Sequence, residues 1–152
     1  MRMKRLSGIL LIMVLSISLL SGCGVAGKGK VDTSADAPAI NYVTSIANSK
    51  WDEVIKNSTG DQLAIYTQLV PALKNVKQTN DLKRVEIVDR AISNDKKLAF
   101  VTVHFVRNVN LPDYGSVLDD KQVLLSMKKI DGQWKVFKMD VVSDLKSTLN
   151  EK

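Results

Sequence analysis

The 152-residue chain has one cysteine and one histidine, so nucleophilic, redox and soft-metal chemistry has only two places to begin. Cys23 lies in Leu20-Ser21-Gly22-Cys23-Gly24, where a long apolar run gives way to small residues and lysines. A lone thiol excludes a disulfide within the chain, so any folded domain must be held by its core. His104 lies in "KKLAFVTVHFVRNV". An imidazole titrates near neutral pH, and an acid on a neighbouring segment, Glu86 or Asp89, would orient His104 as a general base, although the simpler reading is a histidine partly buried on a sheet and bonded to a neighbour. Asp113, Asp119 and Asp120 share a turn-rich stretch that could ligate calcium loosely, although such acids read more simply as solvated turn residues. With one histidine and the local pair Asp119-Asp120 there is no ligand spacing of the zinc type, so no metal is expected. The chain has no Gly-x-Ser-x-Gly, P-loop or dinucleotide fingerprint, and no cofactor is expected either.

The context of Cys23 is more specific than the thiol itself. Arg2, Lys4 and Arg5 precede "ILLIMVLSISLL" with no acidic residue among them, the layout of a secretory signal. Counted from Leu6 the apolar run ends at Leu20 after 15 residues, short of the ~20 that a membrane-spanning helix needs. Leu20-Ser21-Gly22-Cys23 resembles the bacterial lipobox: a branched apolar residue and two small ones before a cysteine. The resemblance implies cleavage between Gly22 and Cys23, with a diacylglyceryl group on the Cys23 sulfur. Two acyl chains hold firmly where one holds only marginally, since each buried methylene is worth ~0.8 kcal/mol. The expected location is therefore the extracytoplasmic face of a cell membrane, with the membrane itself as a partner through the lipid.

Removing residues 1–22 deletes three basic and no acidic residues, so the formal charge falls from +6 to +3. No basic cluster exceeds a pair, and a nucleic-acid partner is not expected. Residues 23–36, with "GVAGKGKVDTSAD" after the cysteine, read as a lipidated flexible tether. Residues 37–149 have globular composition and the size of one domain.

Within that domain the hydrophobic period changes once. "DAPAINYVTSIAN" predicts a helix with Asp36 as cap, Pro38 in the first turn and Ile40, Val43, Ile46 and Ala47 on one side. "WDEVIKNS" predicts a short second helix. "TGDQ" has the capping-box pattern and opens a third helix with a stripe of Leu63, Tyr66, Val70 and Leu73, in which Pro71 predicts a kink or break. After Asn80 the period becomes 2. Val85, Ile87 and Ala91 alternate with charged residues, and Ala99, Val101, Val103 and Phe105 oppose Phe100, Thr102, His104 and Val106. That second pattern predicts a central strand with helices on one side and a partly apolar cavity, containing His104, on the other. "NLPDYGSVLDD" predicts a loop, and strands over 121–130 and 133–142 are joined by Asp131-Gly132, a type I′ hairpin signal. A phase change between Trp134/Val136 and Phe137/Met139/Val141 predicts a β-bulge near Val136.

The expected fold class is α+β: N-terminal helices packed on a curved antiparallel sheet. "NYVTSIANSKWDEVIKN" and "KKIDGQWKVFKMD" are similar to the helix, break, aromatic, helix unit and the terminal hairpin of the nuclear transport factor 2-like superfamily. That resemblance implies a cone whose open end holds a pocket, used for catalysis, for ligand binding or for packing a partner. The leading expectation is a non-enzymatic, membrane-anchored lipoprotein that binds a small apolar ligand or an envelope protein. One alternative is a small hydrolase or isomerase using His104; another is an assembly component of a secretion, conjugation or sporulation machine.

Overall fold

The computed structural model describes residues 31–149, with side chains through Val142. The leader, the cleavage site at Gly22 and Cys23, and most of the expected tether lie outside the described residues. Among the described residues no helix is long and apolar enough to cross a membrane.

Three helices, α1 (Asp36–Ala47), α2 (Trp51–Lys56) and α3 (Gly60–Leu73), precede four strands, β1 (Thr79–Ile92), β2 (Leu98–Leu111), β3 (Gly115–Ile130) and β4 (Gln133–Leu149). The strands form one antiparallel sheet in chain order. The fold is α+β. Helix α1 crosses β1 and β2, α3 lies against β4, and α2 bridges the two helices.

Burial largely follows the periods read from the sequence, but in α3 the expected stripe holds only for Tyr66, Val70 and Leu73: Leu63 is exposed and Gln62 takes the inward place. In α1, Ala39, Tyr42, Val43 and Ala47 are buried at helical spacing. Tyr42 takes the inward place expected of Ile40 because its hydroxyl finds a partner at Ser58. On β2, Ala99, Val101, Val103 and Phe105 are buried beneath the helices with Val123, Leu125 and Met127 of β3. Asp131 and Gly132 both have positive φ, 49° and 80°, and join Ile130 to Gln133 as a two-residue turn. The register shift that skips Phe137 returns Met139 and Val136 to one face, so the expected bulge falls one residue beyond Val136.

Several expectations need correction. Asp36 makes no cap bond; it lies in the first turn and pairs with Arg90 at 2.7 Å, an ion-pair partner on β1 that local sequence cannot reveal. Thr59 occupies the N-cap of α3 without a side-chain bond, and the Gln62 of the supposed capping box is buried instead. Helix α3 runs through Pro71 to Leu73, because a proline this close to the helix end removes only one of the last hydrogen bonds. The long loop shrinks to a turn at 112–114, and Leu111 pairs directly with Gly115. Strand alternation explains the acids that looked like loop residues: Asp119 and Asp120 lie on opposite faces of β3, each beside a cationic or histidine partner. The folded unit starts at Asp32, so residues 32–36 belong to it and not to a free tether. Ala35 is fully buried, and Trp134 Nε1 donates to Ser34 Oγ at 3.3 Å.

Candidate functional site

The two faces of the sheet carry different chemistry. The inner face, covered by the helices, is apolar along β2 until Arg107, which continues the inward series Val101, Val103, Phe105. Its guanidinium Nε donates to Asp119 Oδ2 at 2.8 Å, and a second nitrogen donates to the carbonyl of Ala47 at 3.3 Å. Helix α1 has no basic residue in its last turn, so Arg107 supplies from the sheet the cation that a helix C-terminus favours. The guanidinium carbon also lies 5.9 Å from the ring centre of Phe105. Lys121 Nζ approaches the other oxygen of Asp119 at 3.1 Å. Both members of the Arg107–Asp119 pair are largely buried.

This ionic group closes one side of a hollow of about 170 Å³ between the C-terminal half of α1 and the sheet. Val43, Ile46, Phe105, Val123, Met139 and Val141 supply its apolar wall. The hollow is an apolar recess with a charged, hydrogen-bonding rim, the arrangement that accepts an amphipathic group.

Deeper in the core a polar cluster lies where α1, α2 and α3 meet. Ser58 Oγ donates to the Val54 carbonyl at 2.7 Å, so the 2.9 Å contact with Tyr42 has the phenol as donor. Tyr66 stands edge-on to Tyr42 and stacked on Trp51. Burial pushes both tyrosine hydroxyls upward, so they stay protonated. Ser58 thus has no base to activate it, and the cluster is a satisfied buried network, not a nucleophilic site.

The outer face bears His104. Its partner across the β1–β2 ladder is Glu86, whose Oε1 is 3.0 Å from Nδ1. On the other side, diagonal in the β2–β3 ladder, Asp120 Oδ1 is 2.8 Å from Nε2. The side chain is only 12% exposed. The hydrogen bonds to Glu86 and Asp120 raise the imidazole above its ordinary range, and the His104 bond holds the Glu86 carboxyl below its own. Asp89, the other expected orienting acid, instead accepts from the neighbouring Arg90 amide.

The face containing His104 is not a cavity wall. Phe100, on the same side, is 45% exposed, and the helices cover the opposite side. With a carboxylate on each ring nitrogen, the imidazole donates two hydrogen bonds as imidazolium and offers no lone pair to a substrate proton. His104 clamps three strands together. The same geometry keeps the carboxylates apart, and no group of metal-ligating side chains occurs among the described residues. Trp51 and Trp134 are both buried in the core.

Sequence reasoning therefore found His104 and Glu86 but not their face, and missed the Arg107–Asp119–Lys121 group. A signal was present: an arginine two residues beyond Phe105 continues an otherwise apolar alternation, which places a charge on the buried side.

This architecture has solved counterparts. The chain shares its fold with the intermembrane space region of the chloroplast protein ARC6, at a TM-score of 0.57 and 14% identity over 74% of this chain and 97% of that one. A nuclear transport factor 2-like protein of unknown function from Pseudomonas putida KT2440 gives a TM-score of 0.49 at 10% identity, over 79% and 94% of the two chains. No family model matches the chain, and no curated protein matches it by sequence. At 14% identity the likeness to the ARC6 region concerns the fold and not the activity.

Proposed function

We propose that the protein is a lipoprotein of the extracytoplasmic membrane face, anchored through Cys23, whose nuclear transport factor 2-like domain binds a small amphipathic ligand without chemical turnover. The observation that carries the binding reading is the hollow beside Arg107. An apolar cavity of about 150 Å³ is enough for a benzene-sized group, and this recess of about 170 Å³ offers that room with an ionic rim. The engaged state of both His104 nitrogens favours binding over the His104-dependent hydrolase or isomerase.

The anchor and the hollow are tested separately. Intact-mass measurement of the protein from its native membrane should report a chain that begins at Cys23 and carries acyl groups. Cys23→Ser should move the protein to the soluble fraction once membranes are washed at high salt, whereas the parent should stay with them. An unmodified sulfur on a chain beginning at Met1 would refute the anchor. For the hollow, a two-dimensional amide NMR titration with hexanol and hexanoate should shift residues around Phe105 and Val123, and Val141→Trp at the exposed rim should suppress the shifts. Shifts scattered elsewhere, or unaffected by Val141→Trp, would defeat the ligand reading.

A further inference from the structure

Where the folded unit begins, basic and apolar residues gather on one end of the sheet. Asp32 lies beside the β1–β2 turn, its carboxylate 3.7 Å from Lys96 Nζ. Lys97 follows in the same turn, and its carbonyl accepts from the Lys129 amide at 2.9 Å, which brings the end of β3 alongside. Lys128 stands directly across the ladder from Leu98. Leu98 and Phe100, two residues apart on β2 and therefore on one face, are 41% and 45% exposed. Asp95, the acid within the turn, is occupied with Ser93 and the Lys97 amide. This end of the sheet thus carries two exposed apolar side chains of β2 beside a lysine-bearing turn, placed where the folded unit begins.

We propose that this end of the sheet rests on an anionic lipid bilayer, with Leu98 and Phe100 entering the headgroup layer and Lys96, Lys97 and Lys128 meeting its negative charge. Two observations select a bilayer over another protein. Residues 24–31, which separate Cys23 from Asp32, span roughly 30 Å at full extension, so a lipid on Cys23 would hold this end within reach of the surface; this step rests on the anchor proposed above. That connecting segment also adds Lys28 and Lys30 and no acid. Exposed apolar side chains surrounded by lysine are the combination that binds an anionic interface, each part too weak alone.

The test uses the chain from residue 23 with Cys23→Ser, which contains the whole folded unit and has no lipid of its own. It is sedimented with vesicles of phosphatidylglycerol and, separately, of phosphatidylcholine, at low and high salt. Binding to phosphatidylglycerol that falls with salt, and little binding to phosphatidylcholine, is expected. Lys97→Gln with Lys128→Gln should weaken partitioning roughly 25-fold, about fivefold for each lysine near the surface. Phe100→Ser should weaken it roughly fivefold or more. Circular dichroism checks that these exposed substitutions leave the fold intact. No binding to phosphatidylglycerol, equal binding to both lipids, or variants that bind like the parent would overturn the proposal. So would sedimentation-velocity data in which Phe100→Ser converts a dimer to a monomer, which would assign the face to a second copy of the chain. Because the chain tested has no acyl group, vesicle binding reports on this surface alone, while the intact mass of the native protein reports on the anchor.

Discussion

His104 keeps its proton because releasing it would leave one ring nitrogen facing a carboxylate oxygen with no hydrogen between them. A folded-state pKa raised above the unfolded value gives stability that is complete below the unfolded imidazole's ~6.5 and is lost as pH rises through the folded value. Glu86 works in the other direction: its lowered pKa gives stability present above the usual glutamate range and lost as pH falls through the folded value. Urea midpoints should therefore decline from about pH 6 toward pH 9, and His104→Gln should flatten that decline. A parent protein with no alkaline decline, or one whose decline survives His104→Gln, would show that the clamp does not carry the dependence. His104→Ala should also be less stable than His104→Gln, since it leaves Glu86 and Asp120 with neither a cation nor a hydrogen-bond donor between them. The sequence made the histidine and one of its acids legible because residues opposite on adjacent strands can be counted from alternation. Asp120 is not legible: its approach depends on where the β2–β3 turn falls, and the breakers Pro112 and Gly115 predict a long loop where the strands in fact pair up to a turn at 112–114.

At the scale of elements, the β3–β4 turn isolates a purely backbone cost. Gly132 has φ of 80°, and a Cβ there would meet nothing within 4 Å. Gly132→Ala should therefore destabilise by about 1–2 kcal/mol through the left-handed conformation alone, with no steric contribution. A denaturation midpoint unchanged from the parent would contradict the turn assignment. The junction of α1 with the sheet gives the opposite case, where packing and charge decide. Arg107→Ala strips the α1 C-terminus of its cation and leaves the largely buried Asp119 facing Lys121. A loss of about 2–3 kcal/mol is expected, below the 3–5 typical of a broken buried pair because the rim is partly wet. Arg107→Met combined with Asp119→Leu should recover much of that loss, since it removes both charges together. Element order, the hairpin and the bulge were readable from period and turn chemistry. What escaped were interactions between elements distant in sequence: Asp36 with Arg90, Arg107 with Ala47, and Gln62 turned into the core. Local rules assigned Asp36 and Gln62 to caps because capping is the best use of those residues when nothing else is near.

For the molecule as a whole, the N-terminal boundary of the folded unit decides which residues contribute to its stability. Compositional reading placed the boundary at Ala37 because small and polar residues look unburiable. Tertiary contacts override that composition: Ala35 is enclosed, Ser34 accepts from Trp134, and Asp36 neutralises Arg90, which is itself mostly buried. The last two contacts join the beginning of the folded unit to β4 and β1. A chain beginning at Asp32 should therefore match the stability of one beginning at Cys23. A chain beginning at Ala37 should lose roughly 2 kcal/mol or more, from one hydrogen bond and the stranding of a partly buried arginine. Thermal or urea unfolding of the three chains checks this, and equal midpoints would return residues 32–36 to the tether. Under the anchor proposed above, five residues held in the fold would leave fewer between Cys23 and the folded unit, and the lysine-edged end of the sheet would then lie within closer reach of the surface.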